Sequence, residues 1–209
     1  PDQYGRTFIY MPADSKREYD TYDREKLLTK SRWLVNNHGI SARAIDGVAR
    51  YAVGRGICPQ ARTANRDWNQ ATEEAFEAKC GTSAFGFDVS AQVNFYEAQL
   101  LIVKQFLTDG DFFAQLLLSA TGAGMAYFIS GEYCQSAFND KLFYDGVKTN
   151  RLGRPIQYRF VSDYNKPETA QIIDAADIIH LKRIHRHGFV RGVPALRHAV
   201  NHLHDMADI

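Results

Sequence analysis

Apolar residues in the first half of this chain recur at helical spacing, whereas in the second half they come as short runs broken by Gly, Asn and Asp. The change of period falls near Asp111 and predicts an α+β protein, with helices first and a strand-rich segment after them. A helix is expected over Asp23–Asn37, with Asp23 as its cap, Leu27, Leu28 and Leu34 near helical spacing, and Asn37-His38-Gly39 as its stop. Ser41 is expected to cap a second helix with a stripe of Ile45, Val48, Ala49 and Ala52, broken by Gly54-Arg55-Gly56. A third helix is predicted over Asp67–Lys79, with Gly81 just after its end. A fourth spans Ser90–Leu107; Phe95, Leu100, Leu101, Val103, Phe106 and Leu107 make it apolar over more than one face, which predicts deep burial.

Strands are predicted over Phe112–Leu118, Met125–Ile129, Lys141–Tyr144, Pro155–Val161 and Asp177–Arg183, mainly antiparallel. Asn150–Arg154 reads as a hairpin loop longer than two residues. Pro194 stands where a first-turn proline is tolerated, and Leu196, Val200, Leu203 and Met206 form the stripe of a further helix. The chain thus divides into an arm or loop (1–22), a helical part (23–110), a β-rich part (111–190) and the start of a helix (191–209). That last helix has no stop signal, so the sequence reads as part of a longer protein.

Composition narrows the function classes. With 45% hydrophobic and 23% charged residues in 209, the chain has the make-up of an ordinary globular protein. A net charge of +1 gives no case for a uniformly basic nucleic-acid binder. The charge is unevenly placed, however. Leu181–His204 holds five Lys/Arg and no acid, and Arg43–Arg66 holds five Arg against Asp46 alone. Cys58, Cys80 and Cys134 are odd in number and widely spaced, which suggests neither a disulfide framework nor a zinc ribbon and fits a reducing compartment. No apolar run approaches the ~20 residues of a membrane span, and no signal peptide is visible.

Searches for chemistry come up short. Six of the seven histidines lie between His180 and His204, and His198 and His202 would share a helix face as two zinc ligands do. The metalloprotease pattern needs Glu after the first His, where this chain has Ala199. A His-rich metal hydrolase is therefore only a distant alternative, behind a solvated basic surface. His180, after two isoleucines, reads as a hydrogen-bonded core histidine. Gly122-Ala123-Gly124 lacks the third glycine of a dinucleotide fingerprint (Tyr127 stands there) and reads as a turn. Glu73, Glu74 and Glu77 read as a solvated helix face, and the set Phe85, Phe87, Phe95, Tyr96, Phe112, Phe113 and Phe128 as core. No catalytic, cofactor-binding or metal-ligating residue is assigned.

Three segments together carry a family resemblance: Asp145-Gly146-Val147 with Gly153-Arg154-Pro155 and Tyr158, then Ala176-Asp177-Ile178-Ile179-His180, then Arg191-Gly192-Val193-Pro194. With Arg24–Asn37 and Ile45-Asp46-Gly47, they make the chain resemble the lambda-type phage portal (head–tail connector) family. The resemblance implies a non-enzymatic subunit of a homo-oligomeric ring, typically twelve-fold, at one capsid vertex of the virion, assembled in the host cytoplasm. Double-stranded DNA would pass through it during packaging and ejection, by weak sequence-independent contact. Terminase would dock first, and head-completion and tail-connecting proteins later. It also implies a wing for the helical part, the clip or a clip-adjacent element for the β-rich part, and a stem for the last helix. Arg183, Arg186, Arg191 and Arg197 are the candidate contacts with the DNA channel or an acidic partner. The competing reading is a protein-interaction module without a DNA role.

Overall fold

The computed structural model describes residues 21–82, 86–120, 122–137 and 140–200. Four helices come first: α1 (Thr21–Asn37), α2 (Gly39–Val53), α3 (Arg66–Cys80) and α4 (Phe95–Asp109). Six strands follow: β1 (Asp111–Leu118), β2 (Gly124–Ile129), β3 (Val147–Thr149), β4 (Pro155–Phe160), β5 (Gln171–Asp174) and β6 (Ile178–Lys182). They form two three-stranded sheets, ordered β2-β1-β6 and β3-β4-β5, in which every pairing is antiparallel. The α+β expectation holds.

Neighbouring residues of a strand point to opposite faces, and β1 uses this to join three layers. Phe112 packs on Phe128 (ring centroids 5.5 Å apart), Phe128 on Phe87, and Phe87 on Phe95 of α4, which links the first sheet to the helices. Phe113, fully buried, points the other way. It meets Phe160 at 5.3 Å and Tyr158 at 5.8 Å in the second sheet. The order is helices, first sheet, second sheet. Of the aromatic residues read as core, Phe112 and Phe113 are buried and Phe87, Phe95 and Phe128 are half-buried in the ring chain, whereas Tyr96 lines an open cleft and Phe85 lies outside the described residues.

Several boundaries differ from expectation for local reasons. The α2 cap is His38, whose Nδ1 accepts from the Ser41 amide, and Val48 and Ala52 of the expected stripe are exposed. α4 starts five residues late because Asn94 and Glu97 form a reciprocal capping box. Upstream, the Asp88 carboxylate takes the amides of Ser90 and Gln92, which holds that stretch out of the helix. α4 is also less buried than predicted, and Leu101 is 49% exposed, because helices and sheet cover only part of its circumference. Lys141–Tyr144 is not a strand. Only Tyr144 bridges, to Val147 across Asp145-Gly146. Strands β3 and β5, of three and four residues, are too short to leave a period in the sequence. After Pro194 the chain makes a short 3-10 turn over Ala195–His198. The arm and the remainder of the last predicted helix lie outside the described residues.

Candidate functional site

The three motif segments meet at one buried point. Arg191 is 4% exposed, and all three nitrogens of its guanidinium are bonded within the fold. Nε donates to Asp111 Oδ2 (2.7 Å), Nη1 to the carbonyls of Cys134 (2.9 Å) and Asp145 (2.8 Å), and Nη2 to the carbonyl of Gly131 (2.9 Å). The guanidinium carbon lies 5.0 Å from the centre of the Phe113 ring. One side chain thus ties β1, the turn at Gly131–Cys134 and the Asp145 turn together. A planar five-donor fork suits this work; an ammonium would not.

Asp111 is the counter-charge. Its Oδ2 takes Arg191, and its Oδ1 takes the Gly192 amide (2.6 Å) and His180 Nε2 (3.0 Å). His180 Nδ1 lies 3.2 Å from the Tyr158 hydroxyl. Because the carboxylate only accepts, the ring proton sits on Nε2, and Nδ1 accepts from Tyr158. Burial alone would raise the Asp111 carboxyl, but the Arg191 charge and the His180 bond outweigh it and hold it well below the usual range. Burial lowers the His180 pKa against the pull of Asp111, so the imidazole is neutral at pH 7. Burial also raises the Tyr158 phenol and pushes the Cys134 thiol up to about 11. These groups are not poised to react; a protonated phenol and thiol here act as packing and hydrogen-bonding parts.

Local backbone geometry makes the node possible. Tyr144 and Val147 exchange both backbone hydrogen bonds (2.8 and 2.9 Å) around Asp145 (φ 49°) and Gly146 (φ 79°), the two-residue hairpin that Asp-Gly favours. The Asp145 side chain then receives Arg24 Nε (2.9 Å) and the Thr21 hydroxyl (2.7 Å), which pins the start of α1. At Gly192 an added Cβ would lie 1.8 Å from the Gly110 carbonyl oxygen, so two backbone segments cross where only glycine fits. Pro194 is buried beside this crossing. A second ionic cluster lies nearby, with Arg32 of α1 bridging Asp109 (2.7 Å) and Glu132 (2.7 Å).

The residues singled out in the sequence fall into three sets. Asp145, Gly146, Val147, Tyr158, His180, Arg191, Gly192 and Pro194 belong to the node or its frame. Gly153 and Arg154 sit at the exposed hairpin tip beside Leu152, with Pro155 starting β4, and take no part in it. The expectation that Arg191 meets DNA or a partner is corrected, because its guanidinium is buried and each of its nitrogens is bonded inside the fold. Arg186 is exposed, while Arg183 and Arg197 are half-buried. His180 is the hydrogen-bonded core histidine expected. His198 lies with its ring centroid 6.0 Å from that of His185, and His202 is outside the described residues. Among the described residues no three His, Cys, Asp or Glu side chains gather as a metal set would, and no helix is long and apolar enough to cross a membrane.

Sequence reasoning missed Asp111, which it noted only where the period changes, and the Arg24–Asp145 pair. The available signal was an acid opening an apolar strand, where a buried charge demands a partner. Residues 9–209 match the family described as phage portal protein, lambda family. No curated protein matches the chain.

Proposed function

We propose, from the premise that this chain belongs to the lambda family of phage portal proteins, that it is a subunit of the ring through which double-stranded DNA enters and leaves the capsid. The family match over residues 9–209 is the observation that carries this reading. The family is structural and non-catalytic, associating as an oligomeric ring with the capsid. In this reading the chain itself is no enzyme and works within the virion. The node supports that role: it spends its charged groups on holding segments together.

Physical reasoning favours weak contact with DNA. Phosphate binding strengthens with every Lys/Arg contact, and a tight grip would brake translocation. A chain of net charge +1 with local basic stretches meets that requirement. We assign the helices to the wing, the sheets to the clip or a clip-adjacent element, and the segment from Val193 to the start of a stem. Terminase and head-completion proteins dock on the assembled ring. Of the candidate contacts, Arg183, Arg186 and Arg197 remain in this proposal, and Arg191 leaves it.

Electron microscopy of the full-length protein tests the reading. Rings with a central hole are expected, and particles without one overturn it. In a packaging assay, Arg183→Glu with Arg186→Glu is expected to reduce DNA uptake while rings still form; unchanged uptake removes these arginines from the DNA or partner contact.

A further inference from the structure

The helical end of the molecule carries charge that the fold leaves unused. A cleft at the end of α2 is lined by Arg50, Val53, Arg55, Tyr96, Leu100 and the glycines flanking Arg55. Arg50 and Arg55 are both exposed, and among the described residues no hydrogen bond or ion pair takes either guanidinium. Arg43 and Arg62 lie exposed on the same stretch of chain. The cleft wall is fixed, because the Gln99 side chain takes the Ile57 amide at 2.6 Å and lies against Gly56. Tyr51 (92% exposed) follows Arg50 in the chain, Ile57 (68%) stands two residues after Arg55, and Trp68 (53%) is exposed in the first turn of α3.

Beside this cleft α3 is thinly supported. It touches the body mainly through its C-terminal half: Phe76 on Phe95, Glu77 on the Tyr96 hydroxyl, and Lys79 Nζ on the Gly124 carbonyl. Its N-terminal half bonds mainly to the preceding loop, through Asn69 to Thr63 and Glu73 to the Ala61 amide. A helix of this length is marginal in water without a packing partner.

The opposite layer carries the complement. From Glu168 to Asp177 the acids are Glu168, Asp174 and Asp177, all exposed, with no Lys or Arg between them. Asp174 ends β5, where one carboxylate oxygen takes Gln157 Nε2 (3.2 Å), and Glu168 and Asp177 stand on either side of that strand, which lies at an edge of the second sheet with Ile172 58% exposed. We infer that the arginine-lined cleft at the end of α2 docks the acidic β5 edge of a second copy of this chain, with Tyr51, Ile57 and Trp68 covering Ile172 and its surroundings. The inference rests on the portal reading and specifies which surfaces of neighbouring subunits meet. One patch lies on the helical layer and the other on the far sheet, so the contact is head-to-tail, the type that closes into rings. A nucleic acid is the poorer fit to this cleft. Glu77 lies 2.7 Å from the Tyr96 hydroxyl on its wall, and Asp46, Glu73 and Glu74 stand on the flanking helices, where they would repel a polyanion but tolerate discrete acidic side chains.

Charge exchange in the full-length protein tests this. Arg50→Glu with Arg55→Glu, and separately Asp174→Arg with Asp177→Arg, are each expected to weaken assembly by about tenfold or more, read by mass photometry and sedimentation. All four positions are exposed, and unchanged circular dichroism and melting temperature confirm that each variant folds. Mixing the two variants restores every contact in an alternating ring, so rings are expected to reappear. Assembly of the unaltered protein should also weaken as salt is raised, a readout that needs no variant. Rings that persist in both variants, or a mixture of folded variants that stays unassembled, overturn the inference and leave the portal reading standing. Intact rings that lose double-stranded DNA retention also overturn it, and assign the cleft to DNA instead. Failure of the unaltered protein to form rings at all counts against the portal reading itself.

Discussion

The node around Arg191 and the helical end around Arg50 and Arg55 handle the same residue type in opposite ways. At the node, one arginine is stripped of water and each of its three nitrogens donates to a carboxylate or a carbonyl. At the helical end the arginines stay in water, and α3 is held at few points. The contrast separates two jobs. Buried charge with a complete set of partners fixes how distant segments cross, because any other arrangement strands an ion in low dielectric. Exposed charge adds little to the fold and is available for contacts between molecules.

Breaking the node should have the largest effect. Arg191→Ala leaves the Asp111 carboxylate buried without its cation and takes a donor from three carbonyls, of which Gly131 and Asp145 keep only the Cys134 amide and thiol; a loss of about 3–5 kcal/mol is expected from denaturant midpoints at constant slope. If the loss is under about 1 kcal/mol, the node does not organise the fold. Replacing both charges with Arg191→Met and Asp111→Leu should be milder than Arg191→Ala alone, since no unpaired ion remains. Gly192→Ala comes next, at about 3 kcal/mol, because the new Cβ would collide with the Gly110 carbonyl and the backbone must shift.

Acid should weaken the node in two stages, both of the same sign. The folded His180 pKa lies below its ordinary 6.5, so its contribution is complete above that value and is lost as pH falls through the folded value. Asp111 is likewise depressed below 3.8, so its contribution is complete above that value and is lost at lower pH. Melting temperature measured across pH should therefore fall on acidification, and His180→Phe should flatten the earlier stage. A melting temperature that rises between pH 7 and 5 would contradict the neutral-imidazole assignment. The smallest effects belong to the exposed regions. Arg55→Glu and Leu152→Ser should each change monomer stability by no more than about 0.5 kcal/mol. A larger loss at Arg55 would mean that the helical end depends on its charge as the node does.

Much of the fold was legible in the sequence because its signals are local. Helical periodicity located α1 to α4, though caps moved their ends. The hairpin loop expected at Asn150–Arg154 does join β3 to β4, whereas Asp145-Gly146, which the sequence offered only as a family motif, forms a two-residue hairpin with both central residues at positive φ. The expected strand at Lys141–Tyr144 failed because the turn holds its last residue in a single bridge and leaves the rest without a partner. For the site, the sequence supplied the motif residues but not their purpose. Arg191 looked like a surface cation within a basic stretch, since nothing nearby in the chain reveals that a carboxylate waits at Asp111.

What the sequence determined by itself was the α-then-β order, the hairpin loop at Asn150–Arg154, the family motifs and the uneven placement of charge. Each follows from sterics and polarity within a few residues. Only the tertiary structure decided that Arg191 pairs with Asp111 across 80 residues, that Gly192 crosses Gly110, and that the acidic and basic patches occupy opposite layers. Those outcomes depend on strand register and on which groups lose their water together, and neither is a property of any short stretch of chain.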